Sequence, residues 1–229
     1  MVEIKNTNVY NLEEAVIASG NAMRLEPQEY SKEVFEQAIH RGEKLAKNGG
    51  GTGHTNFRTG ILVTFNLKYP QYFSKQIQRY HFLQYVSSTS MMHRITKMDF
   101  SKCCNRYVTH SMKRIENDLI EFYNLLSANK ENDWVWCDVL KDYIVWLAAE
   151  FDDTLAVGLT RDEILYDVYM RIISNCPMGA ELWVHCSTNY EQLATIYRQR
   201  KNHKLKEDWG EFCKWIESLP YAKELIICE

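Results

Sequence analysis

Apolar and polar positions alternate weakly over residues 2–10, which predicts a strand. The next four residues, N-L-E-E at 11–14, have the form of a capping box, with Asn11 as cap and Glu14 reaching back. They predict a helix running to about Arg24. Val34, Ala38 and Leu45 keep near-helical spacing and place a second helix over 31–47. Glycines at 49–51 end it, because glycine loses too much backbone freedom in a helix interior. The run G-I-L-V-T-F-N-L at 60–67 is short, β-branched and aromatic, and is the clearest strand of the chain. Pro70 suits the first turn of a helix. That helix is expected to carry Gln76, Arg79 and His81 and to give way to the serine-rich stretch 85–90.

In the second half, Val108, Met112, Ile115, Leu119, Phe122 and Leu126 step by four and three, the stripe of an amphipathic helix over 105–128. Residues 134–151 are rich in Trp and Leu and predict another buried helix, and 161–175 a further one. Pro177 precedes a strand over 180–187. T-N-Y-E at 188–191 forms a second capping box, with Leu193, Ile196 and Tyr197 on the helix behind it. Trp209, Phe212, Trp215, Ile216 and Leu219 mark a last helix, closed by Pro220. Few strands among many helices, without strict βαβα alternation, predict an α+β fold with a small mixed or antiparallel sheet.

A chain of 229 residues, 45% hydrophobic and 25% charged, has the length and composition of a single globular domain, expected over 1–229. A formal charge of −3 argues against a general nucleic-acid coat. No apolar run approaches the roughly 20 residues of a membrane span, and residues 1–5 lack a signal pattern, so a cytoplasmic protein without a membrane partner is expected. The seven cysteines include an adjacent pair, Cys103 and Cys104, but no C-x-x-C, and read as small buried hydrophobes. His54, His81 and His93 lack metal-ligand spacing, so no metal site is expected. There is no G-x-G-x-x-G and no phosphate-binding P-loop, and the glycines at 49–51 read as a helix stop.

Three blocks, G-H-T-N-F at 53–57, the run 63–94 and the stretch from Pro177 to Arg200, resemble the flavin-dependent thymidylate synthases. G-H-T-N-F at 53–57 is similar to an H-x-x-P-F segment of that family, matching at His54 and Phe57, with Asn56 in place of the proline. Residues 63–79 follow the family's strand, proline and helix without a gap, and lead into its signature R-H-R-x-x-S-x-N-E-x-S-x-R. Gln76 and Arg79 match; His81 stands at the second arginine, and Val86 and Ser87 replace the N-E pair. Thr89 or Ser90 falls near a signature serine, and Arg94 reaches the final arginine only across a short insertion. From Pro177 onward, Asn189 falls on a T-x-N segment and Arg200 on the arginine of the following helix; Glu191 stands where the family carries another arginine. About 80 residues, 95–175, match nothing.

The resemblance implies a flavin-dependent thymidylate synthase-like fold and the reductive methylation of dUMP, or a related pyrimidine nucleotide, at C5. FAD would be the cofactor, with methylenetetrahydrofolate and NADPH as co-substrates. It implies a homo-oligomer, a tetramer with active sites shared between subunits. By it, Arg200 and Arg79 are catalytic; His54, Arg79, Tyr80, His81 and Asn189 hold the flavin; and Gln76, Arg79, Ser87, Ser88, Ser90, Arg94 and Arg200 hold the nucleotide. Arginine suits both phosphate and pyrimidine carbonyl oxygens. The altered signature also admits a nucleotide-binding protein that does not methylate. Taken without the resemblance, Arg79 reads as an exposed helix arginine and 87–90 as either a polar turn or a phosphate contact. The basic run 198–206 reads as a helix end with cations at its negative pole, or as a nucleic-acid contact, which the acidic balance disfavours.

Overall fold

The computed structural model describes residues 1–48, 53–108, 110–127 and 161–228. The glycines at 49–51 and the helix expected over 134–151 lie outside the described residues. The chain forms two compact units, residues 1–89 with 181–229, and residues 90–180. The second is inserted in sequence between two strands of the first, and it contains the stretch 95–175 that matched nothing.

The first unit is built on an antiparallel sheet of β1 (Glu3–Tyr10), β2 (Leu62–Pro70), β3 (Gln84–Ser88) and β4 (Glu181–Asn189), in the order β1-β2-β4-β3. The fold is thus α+β with a small sheet, as the mixed element order predicts. Strand alternation sorts the two faces. Val63, Phe65, Leu67 and Tyr69 of β2 and Leu182, Val184 and Cys186 of β4 are buried, while the residues between them are half-buried. Across the outer face, Asn66 and His185 pair directly and share a 2.7 Å hydrogen bond. The inner face is covered by α3 (Gln71–Ile77), α8 (Tyr190–Arg200) and α9 (Lys206–Glu217), which add Phe73, Ile77, Leu193, Ile196, Trp209, Phe212 and Ile216 to one core. Phe65 meets Phe212 edge-on at 6.1 Å and Trp215 at 4.3 Å. Helices α1 (Leu12–Ala18) and α2 (Lys32–Ala46) extend the core with Val16, Ile17, Phe35 and Ala38.

Several local expectations are corrected. Asn11 does not cap α1 with its side chain; it is left-handed at φ 60°, and its Nδ2 donates to the Gly60 carbonyl at 3.0 Å. That conformation is tolerable for asparagine. Helix α1 stops at Ala18, well short of Arg24, because Arg41 of α2 takes its terminal carbonyls, donating to Ile17 O at 3.1 Å and Val16 O at 3.4 Å. A Cβ on Gly20 would meet the Arg41 guanidinium at 2.7 Å, so any larger residue there would make this side chain shift. Pro70 ends β2 rather than entering the first turn of α3, and α3 ends before Arg79 and His81, which follow it in a turn. The serine-rich stretch is a strand through Ser88, at the sheet edge, with a bulge between Tyr85 and Ser87. Asn189, not Thr188, caps α8: its Oδ1 accepts from Gln192 N at 2.9 Å. Thr188 is the last inward residue of β4 before it.

The second unit contains the short helices α4 (Met91–Arg94) and α5 (Phe100–Cys103), then α6 (His110–Ser127) and α7 (Arg161–Ser174). Its core joins Ile95, Phe100, Ile115, Leu125, Ile164, Val168 and Ile172. The stripe expected along α6 holds through Phe122, but Leu125 is fully buried and Leu126 is 46% exposed, so the buried face drifts by one residue at its end. Between α6 and α7, Arg171 faces Glu121 at 2.6 Å and Asp118 at 4.0 Å. Burial pushes both carboxyls above their ordinary values, and Arg171 only partly offsets it. No helix among the described residues is long and apolar enough to cross a membrane.

Candidate functional site

Strands β2 and β4 pair so that Leu62 faces Asn189 and Pro70 faces Glu181. Helix α8 therefore leaves the pair at one end and α3 at the other, over the same inner face. Their far ends meet. Tyr80, in the turn after α3, is turned inward, 6% exposed, and its hydroxyl sits between two α8 side chains. It accepts from Arg200 Nε at 2.6 Å and donates to Gln199 Oε1 at 3.1 Å. Gln192, buried on α8, secures the turn by accepting from Phe82 N at 3.2 Å.

The floor of this meeting point is Trp209 of α9, fully buried, its ring 4.5 Å from that of Phe73. Asp208 beside it anchors α9, accepting from the Tyr72 hydroxyl at 2.8 Å and Val2 N at 3.2 Å. The Arg200 guanidinium lies over the Trp209 ring, 4.7 Å from its centroid, and 5.5 Å from the centroid of Tyr80. In the plane of the same indole, Trp209 Nε1 donates to Gln76 Oε1 at 2.9 Å. Gln76 and Tyr80, from one stretch of sequence, and Arg200, from another more than 100 residues on, thus meet on one tryptophan. The remaining nitrogens of Arg200 and Gln76 Nε2 have no partner among the described residues and are not buried. They form a set of oriented donors that suits an anion or a carbonyl oxygen. His203 stands edge-on to Trp209 at 6.1 Å, and burial, with the charges of Arg200 and Lys204, lowers its pKa. Its imidazole is therefore neutral near pH 7, and Arg200 is the cation over the ring.

The other expected site residues lie elsewhere. Arg79 and His81 are exposed beside this cluster in sequence, with no hydrogen bond or ion pair among the described residues. His54 is exposed at the rim of a largely apolar cleft of about 750 Å³, lined also by Ala15, Ala18, Met23, Leu45 and Phe57. Asn189 is engaged as the α8 cap. Ser87 and Ser88 are exposed on the edge strand, and Ser90 and Arg94 are exposed in the second unit. For a flavin, then, His54, Arg79 and His81 have polar atoms without partners among the described residues that suit its diphosphate and ring carbonyls, while the Tyr80 hydroxyl and Asn189 Oδ1 are already engaged.

The sequence reading missed Trp209, Gln199 and Gln192 as site residues. Trp209 was legible only as a core position; what marks it is a buried indole N–H that needs an acceptor. It also missed Arg58, 3% exposed, which donates to Glu191 Oε2 at 2.6 Å and to Leu225 O at 3.1 Å. Glu191, noted as standing where a related sequence has arginine, is the counter-ion of this buried cation.

The fold these elements define is similar to that of solved flavin-dependent thymidylate synthases. The crystal structure of flavin-dependent thymidylate synthase ThyX from Helicobacter pylori, complexed with FAD and dUMP, is similar over 99% of this chain and 97% of that chain, with a TM-score of 0.53 and 16% identity. A second structure of Helicobacter pylori ThyX with FAD and dUMP is similar over 100% and 98%, with a TM-score of 0.52 and 15% identity. No protein-family profile matches the sequence, and no curated protein sequence matches it.

Proposed function

We propose that this protein binds a uridine-type nucleotide such as dUMP through Arg200 and Gln76 and, with FAD, acts as a flavin-dependent thymidylate synthase or a close relative. The reaction would be reductive methylation of the pyrimidine at C5, with methylenetetrahydrofolate as carbon source and NADPH as reductant, in a homotetramer. The observation that carries this reading is the convergence of Gln76, Tyr80 and Arg200 on Trp209, in a fold shared with ThyX structures that hold FAD and dUMP. Arg200 is held at Nε and stacked on two rings, so its terminal nitrogens are oriented before a ligand arrives, which suits stabilisation of negative charge on phosphate or pyrimidine oxygen. Reduced FAD would supply hydride; His54, Arg79 and His81 are the residues of this chain available to hold it. Arg79 would face substrate and flavin together, with Ser87 and Ser88 as further nucleotide contacts.

A second reading, nucleotide binding without methylation, is favoured by one observation: Tyr80 and Asn189, expected on the flavin, are engaged inside the chain. One experiment separates the two. The purified protein is incubated with excess FAD, desalted, and its visible spectrum recorded; it is then reduced and supplied with methylenetetrahydrofolate and dUMP tritiated at C5. Retained flavin absorption with tritium release is expected. A colourless protein that binds dUMP without release would establish the second reading, and absence of both dUMP and FAD binding would overturn the proposal.

A further inference from the structure

We propose that Trp209 is a positioning residue that fixes the amide of Gln76 in one orientation, and that this makes the site select a base edge carrying an oxo group over one carrying an amino group. The inference rests on the nucleotide reading of this site. An indole N–H is only a donor, so the Gln76 atom that faces Trp209 Nε1 at 2.9 Å is the carbonyl oxygen. Trp209 is fully buried, and its N–H has no other acceptor among the described residues, so burial ties it to Gln76. Flipping the amide would set its NH₂ against the N–H and leave a buried donor unpaired, which disfavours that state by about one to two orders of magnitude in population. The NH₂ group must therefore face outward. It meets a ligand as a donor, beside a guanidinium that is also only a donor. A pyrimidine with a C4 carbonyl accepts from that amide; one with a C4 amino group brings a second donor to it.

The glutamine alone would not impose this choice, because a free amide turns over to present whichever atom the ligand needs. Trp209→Phe keeps a ring beneath Arg200 and removes only the N–H. Gln76→Glu reverses the chemistry: one carboxylate oxygen accepts from Trp209 and the other is left as an acceptor facing the ligand.

The test is equilibrium binding of dUMP and dCMP, by calorimetry, to the wild-type chain, Trp209→Phe and Gln76→Glu, with folding checked by circular dichroism. The wild type is expected to prefer dUMP. Trp209→Phe should lower the dUMP-to-dCMP affinity ratio by about three- to tenfold, and Gln76→Glu should favour dCMP. General damage to the core would weaken both nucleotides and leave the ratio alone. Should Trp209→Phe fail to fold, Trp209→Leu, which also lacks the N–H, is measured in its place. A wild type that binds dUMP while the folded Trp209 variant keeps its ratio would overturn the role of Trp209 and leave the nucleotide reading standing. A wild type that binds neither nucleotide would overturn both.

Discussion

Arg58 illustrates how far a single residue's meaning depends on its surroundings. In the sequence it is one basic residue in a polar turn; in the fold it is a buried cation shared between Glu191 and the Leu225 carbonyl. Such a pair gives little net stability, because desolvating both charges offsets most of their attraction, but removing one partner leaves the other exposed to that penalty. Arg58→Met is therefore expected to lower the unfolding free energy by about 3 kcal/mol, and Arg58→Met with Glu191→Leu to recover most of it. Urea denaturation of the two variants checks this; a double variant as unstable as the single would show that the loss lies in packing. Tyr80 carries the same lesson at the candidate site. The resemblance placed it on a flavin, while its hydroxyl serves to hold Arg200.

Helix α8 delivers Arg200, and its register depends on where it starts. The strand β4 runs directly into it, and the change from extended to helical backbone falls at Asn189, whose side chain satisfies one of the unpaired N–H groups of the first turn. Asn189→Ala should cost about 1 kcal/mol of stability, whereas Asn189→Asp should cost little, since aspartate caps as well. Thermal unfolding of both variants tests the cap. Equal losses would mean that Asn189 contributes something other than a cap acceptor. The edge strand β3 shows the opposite dependence. Its serines carry no strand signal, and it exists because β4 offers a free edge to pair with.

Across the whole molecule, each unit carries its own buried charges. In the second, Asp118, Glu121 and Arg171 share the interface of α6 and α7, with both carboxyls raised by burial. A raised native pKa means that the folded state binds more protons than the unfolded one between the ordinary carboxylate value of about 4 and the raised value. Stability from these groups must then rise as pH falls through that window and level off below it. Hydrogen-exchange protection of α6 and α7 amides, corrected for intrinsic rates, is expected to increase as the pH is lowered from neutral toward the ordinary carboxylate value of about 4, and Asp118→Asn to flatten the change. Protection that falls on acidification would mean that other titrating groups govern this interface.

Elements with a strong period or a strong propensity are legible in local sequence alone: the strands around 60–67 and 180–187, α2, most of α6, α7, and the α+β class that follows from their order. The sequence also marked Gln76 and Arg200, through the blocks that carry them. What it could not determine were the features set by contacts distant in the chain. Arg41 ends α1 from 24 residues away, β4 recruits β3, and Glu191 neutralises Arg58 across 133 residues. The role of Trp209 belongs to the same class, since an apolar position at helical spacing is all that sequence periodicity can report. Only the tertiary structure places its ring face under one candidate residue and its N–H against another. Local patterning is written in neighbouring residues, whereas the pairing of buried donors, acceptors and charges is decided by which segments the core brings together.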